Sequence, residues 1–203
     1  VKPSLKYQIL LIVPLCTAAF VCLAQSSPRS PADAASDRDQ RLKVDAQKMA
    51  DAQLAKMGQA YTAKGDLNRH LVYVSALDDK HLQTTANLLA SYIDAQQKTL
   101  LTAPLPWNVA IVLPTADDYK KLAPAKDIPG FYESSQHTLY SLDRGTLLIH
   151  EFTHALHHAD MAASRQVHQI WVCEGLASLF ESSTITADGL EPQTDARLLT
   201  LQK

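Results

Sequence analysis

Residues 146–158 read TLLIHEFTHALHH, and His150-Glu151-Phe152-Thr153-His154 at its centre form the pattern HExxH. Two His four positions apart fall on one face of a helix, about one turn from each other. Both imidazoles can then reach the same metal ion, and Glu151 projects close enough to hold a water there. The preceding Thr-Leu-Leu-Ile suits a buried helix. Glu151, Glu174 and Glu181 lie close together in the chain, whereas Asp is spread widely. The plainer reading is a surface helix with a fortuitous His pair.

Each residue type in HExxH has a mechanical reason in a zinc site. A catalytic zinc usually takes three protein ligands and keeps a fourth position for water. The candidates for the third ligand are His157, His158, Asp160, His168 and Glu174. His157 shares the helix face of His150 and His154, but three ligands along one straight helix cannot surround an ion. Asp160 has the spacing of HExxHxxGxxH, a pattern with Gly where His157 stands here. Glu174 is the better choice. It lies in WVCEGLASLFE (171–181), whose apolar residues Val172, Leu176, Leu179 and Phe180 recur at helical spacing. Gly175 and Ala177 let this second helix approach a neighbour closely. An acid beside buried residues is costly unless it is paired or metal-bound. Residues 159–167 then become the connection between the two helices.

HEFTHALHH followed by WVCEGLASLFE resembles the gluzincin branch of the MA clan of zinc metallopeptidases. The likeness is greatest to the bacterial peptidase MA-like families, in which W-x-x-E-G-x-A-x-x-x-E recurs. It covers about residues 105–190. The resemblance implies a zincin-like fold, Zn2+ bound by His150, His154 and Glu174, and Glu151 as general base acting on a peptide or protein substrate. Two departures argue against an ordinary aminopeptidase. The interval from His154 to Glu174 is one residue longer than in those enzymes, and Cys173 replaces the usual Asn before the ligand Glu. Related enzymes also place an oxyanion-stabilising Tyr or His beyond the third ligand, and none follows Glu174. That role falls to Tyr132, Tyr140, His168, a partner chain or residues outside this chain.

The chain has 203 residues, 46% hydrophobic and 20% charged, which suits one domain with a sizeable core. A net charge of −2 without a basic stripe gives no sign of nucleic-acid binding. Residues 1–24 carry Lys2 and Lys6 ahead of the apolar run ILLIVPLCTAAFVCLA, ending in small residues. This reads as a signal peptide cleaved after Ala24, giving a secreted or periplasmic protein. Contact with a membrane follows only if the segment is kept as an anchor. Two of the three Cys leave with it, so the mature chain has no internal disulfide. The remaining Cys173 reads as a small core residue.

The expected fold is α+β: a small mixed sheet packed on the HExxH helix and a second ligand helix, with long N-terminal helices. Residues 25–37 read as a flexible linker, and 38–203 as the metallopeptidase domain, minimal or incomplete at its C-terminus. Helices are expected at 38–64, where Gly65 would stop the first, at about 79–102, and after Thr115. Strands are expected at 70–76 and 107–113, a hairpin at 130–142, and a turn or hairpin around Asp188-Gly189. The strand from His137 to Leu142 is expected to line the cleft and to pair with an extended substrate. Trp171 reads as core packing. His70, His81 and His137 read as ordinary histidines far from the motif. Two other functions fit the same sequence: a secreted or envelope protein that binds zinc without catalysis, and an interaction domain using the helices at 38–64 and 79–102.

Overall fold

The computed structural model describes residues 30–125 and 128–193. The signal-peptide reading (1–24) and the first part of the linker lie outside them. The described chain is a mixed α+β structure. Its elements are α1 (Pro31–Met57), β1 (Thr62–Asp66), β2 (Leu71–Ser75), α2 (Asp79–Thr99), β3 (Val109–Leu113), α3 (Ala116–Leu122), β4 (Gly130–Glu133), β5 (Thr138–Ser141), α4 (Thr146–Ser164), α5 (Ile170–Glu181), β6 (Ser183–Thr186) and β7 (Gly189–Pro192).

The main sheet has the order β1-β2-β3-β5-β4. β2, β3 and β5 run parallel, and β1 and β4 are antiparallel edges. Every residue of β2 and β3 is buried. Strands covered on both faces read as continuous apolar runs, which is what LVYVS and VAIVL are. The twofold alternation of side chains sends Leu71, Tyr73, Ile111 and Leu139 to one face, where α2, α4 and α5 cover them. It sends Val72, Val74, Val112 and Tyr140 to the other, beneath α1 and α3. The sheet is thus the middle of three layers. The small β6–β7 hairpin, expected around Asp188-Gly189 and turning through Ala187-Asp188, docks on α2, where Leu190 N–H donates to Thr99 Oγ1 at 3.0 Å.

The N-terminal third corrects the sequence reading in two places. Residues 31–37, expected as linker, are the start of α1. Ser30 caps this helix by accepting from Asp33 N–H at 3.1 Å. The Asp33 carboxylate accepts Ser30 N–H in return, and Pro31 opens the first turn. The helix then stops seven residues earlier than expected, at Met57 rather than 64. Gly58 adopts φ +92° and donates to Leu54 O at 2.8 Å. Residues 62–66 pair with β2 as β1, so Gly65 lies inside a strand. The helical pattern of TAKGD was overridden by the open edge of β2.

Candidate metal centre

α4 carries HExxH. Its first turn is capped from upstream, where the Asp143 carboxylate accepts Gly145 N–H at 3.0 Å and Leu147 N–H at 2.9 Å. Leu148, Ile149, Phe152, Ala155, Leu156 and Ala159 are buried against the sheet and α2. With that face fixed, His150, Glu151, His154 and His158 come out half-buried along the helix. Gln96 of α2 adds a polar tie, donating to Thr153 Oγ1 at 3.0 Å.

α4 runs to Ser164, six residues past the expected end, because Ala159-Asp-Met-Ala-Ala-Ser contains no helix breaker. Arg165, with φ 56°, ends it in the left-handed conformation, so the connection is 165–169 rather than 159–167. An uninterrupted helix through Asp160 keeps that residue from turning back towards His150 and His154. His157 and His168 are also withdrawn. His157 is 1% exposed, and its Nε2 lies 2.7 Å from His168 Nδ1.

α5 returns past α4 and brings Glu174 to the His pair. Glu174 Oε2 is 3.2 Å from His150 Nε2, and Oε1 is 3.6 Å from His154 Nε2. One ligand atom from each of the three lies within 4.8 Å of the others. Ligands at about 2.0–2.1 Å from a tetrahedral ion are about 3.3 Å apart, close to the separation of each imidazole from its own Glu174 oxygen. Two imidazoles and one carboxylate are borderline donors that suit zinc. Burial lowers the His154 pKa, opposed by Glu174 and assisted by His150, and so favours the neutral ring that a metal needs.

Glu181, to which no role was given from sequence, completes the arrangement. It is buried at 7% exposure, and its Oε2 lies 2.7 Å from His150 Nδ1. A carboxylate there keeps the proton on Nδ1 and turns the Nε2 lone pair towards Glu174. Glu181 follows Glu174 by seven residues, two turns, and so shares its side of α5. Glu181→Gln is expected to weaken zinc binding about 10–100-fold while leaving the three ligands in place. A competition titration against a zinc-binding dye measures this, and unchanged affinity would remove Glu181 from the site.

Glu151 faces β4. An ideal Cβ at Gly130 would stand 3.0 Å from Glu151 Cγ and 3.3 Å from Tyr140 O. A side chain at 130 would press on Glu151, which would have to give by a few tenths of an ångström. Burial raises the Glu151 pKa; His150 opposes the shift, Glu174 adds to it, and the Tyr132 backbone N–H opposes it. Were the site a zinc enzyme's with Glu151 as its base, Gly130→Ala would displace the carboxylate and lower kcat about tenfold or more with zinc content unchanged. Loss of zinc along with activity would mean that Gly130 supports the ligands instead.

The edge strand differs from the one expected. β5 is paired on both sides, by β3 and β4, because the parallel β3–β5 connection places it inside the sheet. Among the described residues, the edge strand on this side of the sheet is β4. Leu142 N–H donates to Pro129 O at 2.9 Å, which makes residues 129 and 142 a bonded pair. Alternation then makes Phe131 and Glu133 the β4 residues bonded to β5. The backbone groups of Gly130 and Tyr132 point outward, towards Glu151.

Several lone residues also find their places. Trp171 is not core: it is 73% exposed. Cys173 is half-buried rather than core. His137 is linked to the motif helix after all, stacked on Trp107 at 4.2 Å, with its Nδ1 3.4 Å from Tyr132 Oη. The same hydroxyl is 3.2 Å from His158 Nδ1, one turn beyond His154. His70 and His81 are ordinary, bonded to Leu105 O and to the Asp78 carboxylate. Tyr140 lies under α1, its hydroxyl accepting from Lys56 at 2.8 Å, and is on the wrong side of the sheet for an oxyanion donor. Compared with known protein families and curated proteins, the chain matches no family model and no curated sequence.

Proposed function

We propose that this protein is a zinc-dependent metallopeptidase of zincin-like, gluzincin type, hydrolysing peptide bonds with Glu151 as general base. The observation that carries the reading is the convergence of His150, His154 and Glu174, from two helices, beside a carboxyl that is not one of the three ligands. The β4 edge on the far side of Glu151 supports it.

His150, His154 and Glu174 would hold the ion, and Glu181 would orient His150. Zinc, when bound, supplies Lewis acidity, making water nucleophilic near neutral pH. Glu151 takes the proton of the attacking water and delivers it to the leaving amine, so the water's OH ends on the carbonyl carbon and its proton on nitrogen. Its raised pKa brings the carboxyl nearer to neutrality, where both transfers are easy. The outward backbone groups of Gly130 and the Tyr132 carbonyl would pair with an extended peptide, holding it straight and close to Glu151. A secreted or periplasmic location rests on the sequence of residues 1–24 alone.

The test is one preparation measured two ways: zinc per chain by elemental analysis, and cleavage of an unfolded protein followed by mass spectrometry. About one zinc per chain with cleavage that chelation abolishes is the expected result. Zinc without cleavage would favour the non-catalytic zinc protein instead.

A further inference from the structure

One stretch is at odds with its surroundings. In the connection after α4 and the first turn of α5, Val167, Ile170 and Trp171 are 94%, 71% and 73% exposed. Between Met161 and Cys173 the only permanent charge is Arg165. Three large apolar side chains this close together and this open are a patch rather than a scattering. Trp171 stands one helical turn before Glu174, and Gly175 follows it by four residues, on a face where an added Cβ at Gly175 would meet nothing within 4 Å. The patch therefore adjoins the proposed metal centre on the α5 side. Across that centre runs β4, with the backbone groups of Gly130 and Tyr132 turned away from β5 and the Tyr132 N–H directed at the Glu151 carboxylate.

We infer that Trp171, with Ile170 and Val167, forms a specificity subsite for a bulky apolar side chain of an extended polypeptide lying between β4 and α5. This rests on the peptidase reading and adds the substrate class to it: unfolded segments with an aromatic or large aliphatic residue near the scissile bond. The two walls select the same ligand in different ways. β4 demands an extended backbone, because only a strand can meet its outward N–H and C=O groups in register. The α5 wall offers an indole and two aliphatic side chains and almost no charge, so it rewards apolar area. Gly175 leaves the space beside Trp171 open for a large side chain. A folded partner would have to bring both an apolar surface to the patch and an unpaired edge strand to β4, whereas one extended segment meets both walls.

The test uses the zinc-loaded full chain carrying Glu151→Gln, so that peptide is bound and not consumed. The probe is a short unstructured peptide of Ala, Thr and Ser with a single Phe, compared with its Phe→Ser counterpart by calorimetry. The Phe peptide is expected to bind about tenfold more tightly. That preference should vanish in Trp171→Ala and shrink in Val167→Ser/Ile170→Ser, exposed positions whose replacement should spare the fold, with zinc content unchanged. An undiminished preference in both variants would overturn the subsite, as would no binding of either peptide. A dimer lost in Trp171→Ala would also overturn it, making the patch a self-association surface. Cleavage by the wild-type chain is followed separately. Peptides bound with the Trp171-dependent preference but never cut would sink the peptidase and leave the subsite. Cleavage indifferent to Trp171 would do the reverse.

Discussion

Replacing Glu151 by Gln is expected to lower the rate of peptide hydrolysis about 10²–10⁴-fold while zinc stays bound. The amide keeps the size of the carboxyl and cannot accept a proton from water. None of the three proposed ligands changes, so the ion should remain. Measuring kcat and zinc content on the same sample separates this from a general loss of structure. A variant as active as the parent would mean that another group acts as base, and the half-buried position of Glu151 against Gly130 would need a different explanation.

The same substitution makes a prediction about stability. Burial pushes the Glu151 carboxyl above its ordinary pKa, so the folded chain prefers the protonated acid more than the unfolded chain does. As pH rises past the unfolded value, ionisation costs more in the fold than out of it, and stability falls. Gln has no such proton to lose. Without metal, Glu151→Gln should therefore be more stable than the parent at pH 7, with the difference disappearing below about pH 4.5, where both folded and unfolded carboxyls are protonated. Urea midpoints in the presence of chelator, taken across that range, measure it. An equal or lower midpoint at pH 7 would contradict the burial argument. A group that destabilises the empty fold is the usual cost of a reactive site.

Local signals in this chain were readable, and signals that depend on which strand lies beside which were not. HEFTH is legible because the helix repeat brings its two His together without help from the rest of the fold. Glu174 is legible for a related reason: an acid in an otherwise apolar helix asks for a partner. The pairing of Glu181 with His150 needed the crossing of α5 over α4, which no spacing within either helix specifies. The edge strand was misread for the same reason. Both strands of the 130–142 hairpin alternate alike, and only the non-local β3–β5 pairing decides which one is enclosed. At the N-terminus the error was one of competition. TAKGD has no apolar alternation to mark a strand, and it became one because β2 had an open side. Trp171 was read as core because a Trp in an apolar helix usually is, and its exposure is the feature that now suggests a role in recognition.

Replacing Glu174 by Ala should cost more zinc affinity than any other single change outside HExxH. Apparent binding energies of structural zinc sites run to about 10–16 kcal/mol over four ligands, or about 3 kcal/mol for each. Loss of one ligand therefore weakens binding by more than about a hundredfold. Glu174 has a 52% exposed side chain, so little packing is lost with it, and the metal-free variant should fold as well as the metal-free parent. The two effects separate cleanly. Zinc should raise the melting temperature of the wild type, because an ion bound only by the folded chain stabilises it by mass action, and at the same zinc concentration should leave Glu174→Ala nearly unmoved. If zinc stabilises the variant as strongly as the parent, Glu174 is not a ligand. Asp160 would not then inherit the role, since α4 runs through it without a bend. Glu181 is a remaining carboxylate, buried and already on His150, and taking it as a ligand would require the Glu181–His150 pair to open. Zinc affinity in the Glu174→Ala/Glu181→Gln double variant decides that case. A further loss of no more than about a hundredfold, the effect of an orienting carboxylate alone, excludes the rearrangement; a larger one establishes it.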